Sequence, residues 1–235
     1  MQTIRSFFFY ISIGVLTLFL PIVVLFSVPF SILTRQRMVA SWTQLIINAL
    51  YFFCRLDFEV IGAENIPAGP AVILCKHQSA WETFALQVVF PAQTWVLKRE
   101  LLMIPIFGWC LAYAQAIAID RGSPKKALNQ VISQGRDRLE KGLWVVIFPE
   151  GTRSKPGSAL KYSAGGAMLA SRTGYSAVPV AHTAGYFWTP GRFRITPGTI
   201  KIAIGPEIEA AGRRAGEINR EAEDWIERTM DEIAP

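Results

Sequence analysis

No charged residue occurs between Arg5 and Arg35: the run SFFFYISIGVLTLFLPIVVLFSVPFSILT fills positions 6–34. At about 1.5 Å of helical rise per residue, roughly twenty such residues cross the hydrocarbon core of a bilayer. A cleaved signal peptide carries an apolar core of roughly 7–15 residues followed by a small-residue cleavage site. This run is about twice that length and contains Pro21 and Pro29, so we read it as a retained membrane segment. Each proline removes a backbone donor, so the run admits either a single span or a bent, re-entrant helical hairpin. Arg5 lies on one flank and Arg35 and Arg37 on the other, which leaves the orientation open under the positive-inside rule.

Charge is distributed as unevenly as hydropathy. Residues 205–235 hold nine acidic and four basic side chains, a balance of −5, so the rest of the +6 chain carries +11. A basic body behind an apolar anchor suits an anionic lipid surface or a phosphorylated substrate. It would also suit nucleic acid, but no nucleic-acid motif is present and no such partner is expected. Cys54, Cys75 and Cys110 are odd in number and lack C-x-x-C spacing, which argues for buried free thiols.

Behind the anchor, MVASWTQLIINALYFFCRL places Trp42, Leu45, Ile46, Ala49, Phe52 and Phe53 at spacings of three and four, the pattern of an amphipathic helix. DFEVIGAENIP, PAVILCK, QTWVLKREL, AQAIAIDR, LWVVIFPEG, YSAVPVAH and GTIKIAIG read as strands. Helices are expected after Ser79, over 125–142, across YSAGGAMLASRTG and along the acidic C-terminus. Strands alternating with helices predict an α/β fold, a mixed, largely parallel sheet flanked by helices. We divide the chain into an anchor and amphipathic helix over 1–56 and a catalytic-type domain over 57–235.

Four polar clusters follow strands. In LCKHQSAWETFAL, His77 precedes a helix and Glu82 follows five positions later. Ser79-x-x-Glu82 is a capping-box pattern, and a cap alone would explain the glutamate. A carboxylate reaching back toward the helix start can also hold one imidazole nitrogen and leave the other as a base. In VVIFPEGTRS, the strand ends in Phe148-Pro149 and a polar turn, Glu150-Gly151-Thr152-Arg153-Ser154, follows. Backbone amides at a glycine turn can line an anion site and arginine can grip phosphate, although a solvated surface loop is the plain alternative. Asp120 and Arg121 precede Lys125 and Lys126, and the second histidine, His182, ends VPVAH. His77, His182 and Cys75 lack ligand spacing, so no metal is expected.

These four clusters, in this order, resemble the glycerolipid acyltransferases, and among them the 1-acyl-sn-glycerol-3-phosphate acyltransferases. That family's N-H-x-x-x-x-D stands here as Lys76-His77-Gln78-Ser79-Ala80-Trp81-Glu82. Its G-x-x-F-I-D-R stands as Ala116-Ile117-Ala118-Ile119-Asp120-Arg121, its F-P-E-G-T-R-S is complete from Phe148 to Ser154, and its V-P-V strand is Val178-Pro179-Val180. KRELLMIPIFGW also resembles the family's linking text, and the likeness runs from about residue 60 to 205. Glutamate replaces the motif's aspartate, Lys76 its asparagine, and Ser163 and Ala164 a lysine pair common in the family.

The resemblance implies that His77 removes the proton from the sn-2 hydroxyl of lysophosphatidic acid, with Glu82 orienting it. The product would be phosphatidic acid, in phospholipid biosynthesis. It implies that Arg153 and Arg121, with Lys98 and Lys161, bind the acceptor's phosphate in a pocket shaped by Glu150, Gly151 and Thr152. Acyl-CoA or acyl carrier protein would donate the chain without any cofactor. The domain would face the cytoplasm on a bacterial inner membrane, among membrane phospholipids. Two alternatives stay open: the same chemistry on glycerol-3-phosphate, another lysophospholipid or a lyso-aminolipid, and a non-catalytic membrane lipid-binding protein. A G-x-S-x-G elbow, the mark of a serine hydrolase, is absent.

Overall fold

The chain enters through two long helices, α1 (Gln2–Ser27) and α2 (Ile32–Cys54), joined by a turn at Val28–Phe30. It then builds β1 (Leu56–Ile61), β2 (Val72–Cys75), α3 (Trp81–Val89), β3 (Gln93–Lys98), α4 (Phe107–Tyr113), β4 (Ile117–Ile119), α5 (Pro124–Glu140) and β5 (Trp144–Ile147). It closes with α6 (Gly165–Thr173), β6 (Ala177–His182), α7 (Ala184–Phe187), β7 (Gly198–Ile204) and α8 (Ala215–Ile233). The computed structural model describes all residues except Ile106, Arg121 and Ala159, and the side chains of Leu25 and Phe107.

One seven-stranded sheet runs in the order β1-β7-β6-β2-β5-β3-β4. Its pairings are parallel except β6 with β7, as the alternation of strands and helices predicts. The central strand β2 is buried along its whole length, which is why its sequence is a continuous apolar run. Its side chains alternate between two cores. Ile73 and Cys75 pack with α1, α2 and α3 through Phe9, Ile46, Leu50, Trp81 and Leu86. Val72 and Leu74 pack with α5, α6 and α8 through Val131, Leu169, Ile218 and Ala222. Ligand chemistry in open α/β sheets lies beyond the carboxyl ends of the strands. Here β2 and β5 are neighbours, with Leu74 level with Ile147, so the segments that follow them emerge side by side.

The N-terminal run is a helical hairpin. Pro21 lies within the continuous α1, whereas Pro29 sits in the reversing turn. The Trp42 indole donates to the Leu16 carbonyl at 2.9 Å, and Phe8 stacks on Phe53. The start of α1 is fastened to the sheet domain: the Ser6 hydroxyl accepts the Ile195 amide, and Trp188 donates to the Tyr10 hydroxyl. Its far end touches the domain again, where Ser27 donates to Tyr113 at 3.2 Å. On α2 the buried positions are Gln36, Thr43, Ile46, Ile47, Leu50 and Cys54. Leu45 and Phe52, which belong to the apolar stripe read from the sequence, are exposed. That stripe is wider than the domain can cover, and α1 covers only part of it.

Candidate active site

The residues after β2 do not begin α3 where the capping-box pattern predicts. Ala80 holds the N-cap position and Trp81 starts the helix. The Ser79 hydroxyl donates to the Trp188 carbonyl at 2.7 Å and accepts the Trp81 amide at 3.2 Å. Half of the box survives, because the Glu82 carboxylate accepts the Ser79 amide at 2.9 Å and the Gln78 amide at 3.0 Å. The same oxygen lies 2.8 Å from His77 Nδ1. Glu82 therefore caps the backbone and orients the imidazole at once.

Burial alone would raise the Glu82 carboxyl, but His182, His77 and the Ser79 amide outweigh it and hold the group below its ordinary value. An ionised carboxylate only accepts, so Nδ1 carries the proton, and in the neutral imidazole the Nε2 lone pair is the free one. Nε2 has no hydrogen-bond partner among the described residues, and the side chain is 16% exposed. Its ring stacks on Phe148, with centroids 4.1 Å apart and planes 18° from parallel. A neutral imidazole held on both sides with one basic nitrogen open is the arrangement a general base requires.

His182 stands behind this pair, fully buried. Its Nε2 donates to the Lys76 carbonyl at 2.9 Å and its Nδ1 accepts the Ala184 amide at 3.3 Å. Both nitrogens are thus satisfied in the neutral form, and burial lowers its pKa further from protonation. It lies 3.8 Å from the second Glu82 oxygen, which is buried without a hydrogen bond. His182 fixes the backbone from which His77 projects.

The turn after β5 is pinned to the same place. The Ser154 amide and hydroxyl donate to the His77 carbonyl at 2.8 and 3.3 Å. Gly151 adopts φ 68°, and its amide donates to the Phe148 carbonyl, closing the turn. Thr152 and Arg153 are exposed, and Arg153 has no ion-pair partner among the described residues. Glu150 differs: its side chain is buried, 3.1 Å from the Lys76 ammonium, and faces inward. Lys98, at the end of β3, and Lys161, ahead of α6, are exposed and make no described bond to the His77–Glu82 pair. Arg121 lies outside the described residues. Asp120 caps its own turn through the Gly122 amide and lies 3.8 Å from Lys126. Among the described residues no group of His, Cys, Asp and Glu is arranged to hold a metal, and the three cysteines are buried and free.

A model of the Acyltransferase family matches residues 57–183, from β1 to the residue after β6. The chain belongs to that family. It is 43% identical over 245 residues to the 1-acyl-sn-glycerol-3-phosphate acyltransferase of Pseudomonas aeruginosa, spanning 100% of this chain and 93% of the relative. The chloroplastic enzyme of that name from Arabidopsis thaliana is 27% identical over 97% of this chain and 65% of its own. Among solved structures, the 1-acyl-sn-glycerophosphate (LPA) acyltransferase of Thermotoga maritima has the same fold. Its TM-score is 0.82 with 23% identity, over 99% of this chain and 95% of that one.

The acyltransferase site contains residues that the sequence pattern does not announce. Ser154 was visible only as the last letter of a motif, yet it clamps the His77 carbonyl. Phe148 supplies the face on which the His77 ring rests, and Trp188 supplies the carbonyl that accepts the Ser79 hydroxyl proton. The aromatic stretch 185–194 begins within the short helix α7 and then runs as a loop, with the Ile195 amide that follows it bonded to Ser6 of α1.

Proposed function

We propose that this acyltransferase moves an acyl chain from acyl-CoA or acyl carrier protein to the sn-2 hydroxyl of lysophosphatidate, giving phosphatidate. The observation that carries the reading is the open Nε2 of His77, oriented by Glu82 and joined through Ser154 to the Arg153 turn. Nε2 takes the hydroxyl proton as the oxygen attacks the thioester carbonyl. The tetrahedral adduct collapses with cleavage of the C–S bond, and the proton passes from Nε2 to the departing sulfur. Glu82 stabilises the imidazolium formed between these steps. Arg153 offers a planar, two-pronged donor to the acceptor's phosphate. The Pseudomonas relative, similar along the whole chain, bears the name of this activity.

The anchor brings the site to its lipid substrates. An 18-residue window of α1 has a mean hydropathy of 2.4 and is only 11% buried, unlike a core helix. Ser6 and Ser27, about 31 Å apart at 1.5 Å per residue, both touch the one domain. A domain on one side of a bilayer cannot reach both ends of a spanning helix, so we place the hairpin within one membrane face. Thioester donors are cytoplasmic, which puts that face on the cytoplasmic side of a bacterial inner membrane.

The test compares wild type, His77→Ala and Glu82→Gln with lysophosphatidate and acyl-CoA. His77→Ala should lose about 10²–10⁴ in kcat, the range for a general base. Glu82→Gln keeps an acceptor for the two amides but loses the charge facing the imidazolium, and should lose about 10². A His77→Ala enzyme within a few-fold of wild type would sink the mechanism. Ser163 and Ala164, in place of a lysine pair, keep a different acceptor in view. Wild type that ignores lysophosphatidate but acylates another lysophospholipid or glycerol-3-phosphate would move the reading there.

A further inference from the structure

Behind the base lies a buried charge cluster that the reaction steps above do not use. The Lys76 side chain is 1% exposed, and its ammonium lies 2.7 Å from Glu227 Oε1 and 3.1 Å from Glu150 Oε1. Tyr162 donates to the same Glu227 oxygen at 2.7 Å, and the Lys76 ammonium lies 5.8 Å from the centre of its ring. Burial and Glu227 push the Tyr162 phenol far above its ordinary value, so it remains a donor. Four segments meet here: the end of β2, the turn after β5, the loop before α6 and, in Glu227, the helix α8. That helix lies wholly beyond residues 57–183, over which the family match runs.

The four groups are unequally secured. Glu150 is buried, its Oε2 has no hydrogen bond, and its Oε1 receives the Lys76 ammonium and, at 3.5 Å, the His77 amide. Lys76 is therefore its principal partner, and a buried carboxylate whose cation moves is strongly destabilised where it stands. Lys76 in turn makes its shorter contact with Glu227. The docking of α8 does not depend on that residue: Ile218, Ala222, Ile226 and Met230 form its buried face, while the Glu227 side chain is 32% exposed.

We propose that Glu227 is a positioning residue of the active site, holding Lys76 against Glu150 and so fixing the turn 150–154 that presents Arg153 beside His77. The C-terminal helix is thereby part of the acyltransferase site. This inference rests on the reading of that turn as the subsite for the acceptor's phosphate.

The experiment uses the full chain in detergent micelles, as wild type, Glu227→Ala and Glu227→Gln. Hydrogen–deuterium exchange follows the peptide over 148–158, and KM is measured separately for lysophosphatidate and acyl-CoA. Glu227→Ala should speed exchange at 150–154 by about tenfold while α8 stays protected and the melting temperature holds within about 3 °C. KM for lysophosphatidate should rise about tenfold, the scale of one charged hydrogen bond, with KM for acyl-CoA within about twofold. Glu227→Gln keeps an oxygen for Tyr162 and Lys76 and should fall between the two. Unchanged exchange in the turn overturns the inference, as does an equal rise of both KM values with a lowered melting temperature. Should wild type acylate no lysophosphatidate, the proposed acceptor fails, and the exchange measurement alone decides the role of Glu227.

Discussion

Glu82 and His182 are both fully buried, and the pH dependence of stability should carry their signature. His182 is held neutral by burial, so its pKa in the fold lies below its ordinary 6.5. Between those two values the unfolded chain binds a proton that the folded chain does not. Stability is therefore complete above about pH 6.5 and falls below it, by up to about 1.4 kcal/mol per pH unit for this one group. Glu82 adds a loss of the same sign below its ordinary 4.5, because its folded value is also depressed. Melting should hence be flat near pH 7.5 and fall by several degrees between pH 6.5 and 5, at about 2–4 °C per kcal/mol. His182→Gln, which can still donate to the Lys76 carbonyl, should flatten that decline. A decline as steep as wild type's would mean that another group carries it. At this scale the sequence was informative where partners are close along the chain: His77 and Glu82 are five positions apart, and one Glu82 oxygen meets both His77 Nδ1 and the Ser79 amide. It was silent on Lys76, whose partners lie 74 and 151 residues away, and on Ser154, whose role appears only once two strand ends stand side by side.

Elements place these residues by close approach. Helix α7 passes over the loop after β2, and a methyl group built on Gly185 would lie 2.9 Å from the Gln78 Cβ and 3.0 Å from Pro156. Neither neighbour is a flexible side-chain tip, so Gly185→Ala must displace the segment next to His77. A misplacement near 1 Å can cost about 10² in rate, so kcat should drop about 10- to 100-fold with the circular dichroism unchanged. Activity equal to wild type would show that α7 can retreat without disturbing His77. Other bonds set the course of the stretch that follows Gly185. The composition of GYFWTPGRFR suits a hairpin or a membrane loop, but Ser79 and Tyr10 bind Trp188, and Ser6 binds Ile195, from elements far away in the chain. Strands were easier to read, because a strand buried on both faces must be an apolar run, and β2, β5 and β6 are such runs. Helix starts were harder: Ser79 has the right chemistry for a cap and its hydroxyl accepts the Trp81 amide, but the helix starts one residue later, with Ala80 at the N-cap.

For the whole molecule, the hairpin and the sheet domain share a core, and the two faces of α1 should respond to substitution in opposite ways. Phe9 is fully buried, packed edge-on against Trp188 at 5.4 Å and within the cluster that includes Ile73 and Trp81. Phe9→Ala should lower stability by about 3–5 kcal/mol, the usual cost of emptying such a site, and loosen the hairpin from the domain. Leu18 and Phe19 lie on the same helix but are exposed, at 76% and 56%. Leu18→Asp with Phe19→Asp removes no packing, so melting in detergent should match wild type. In a bilayer, by contrast, an aspartate at hydrocarbon depth costs about 2.5–3.5 kcal/mol, so binding to phospholipid vesicles should fall at least about tenfold. Flotation of the three proteins with vesicles, alongside melts in micelles, separates the faces. Unchanged flotation of the double aspartate variant would show that this face of α1 does not enter the lipid, and would remove the support it gives to the proposed membrane placement. Flotation lost while melting holds would locate the lipid contact on the outward face of α1, while Phe9 on the other face joins the helix to the domain that carries His77.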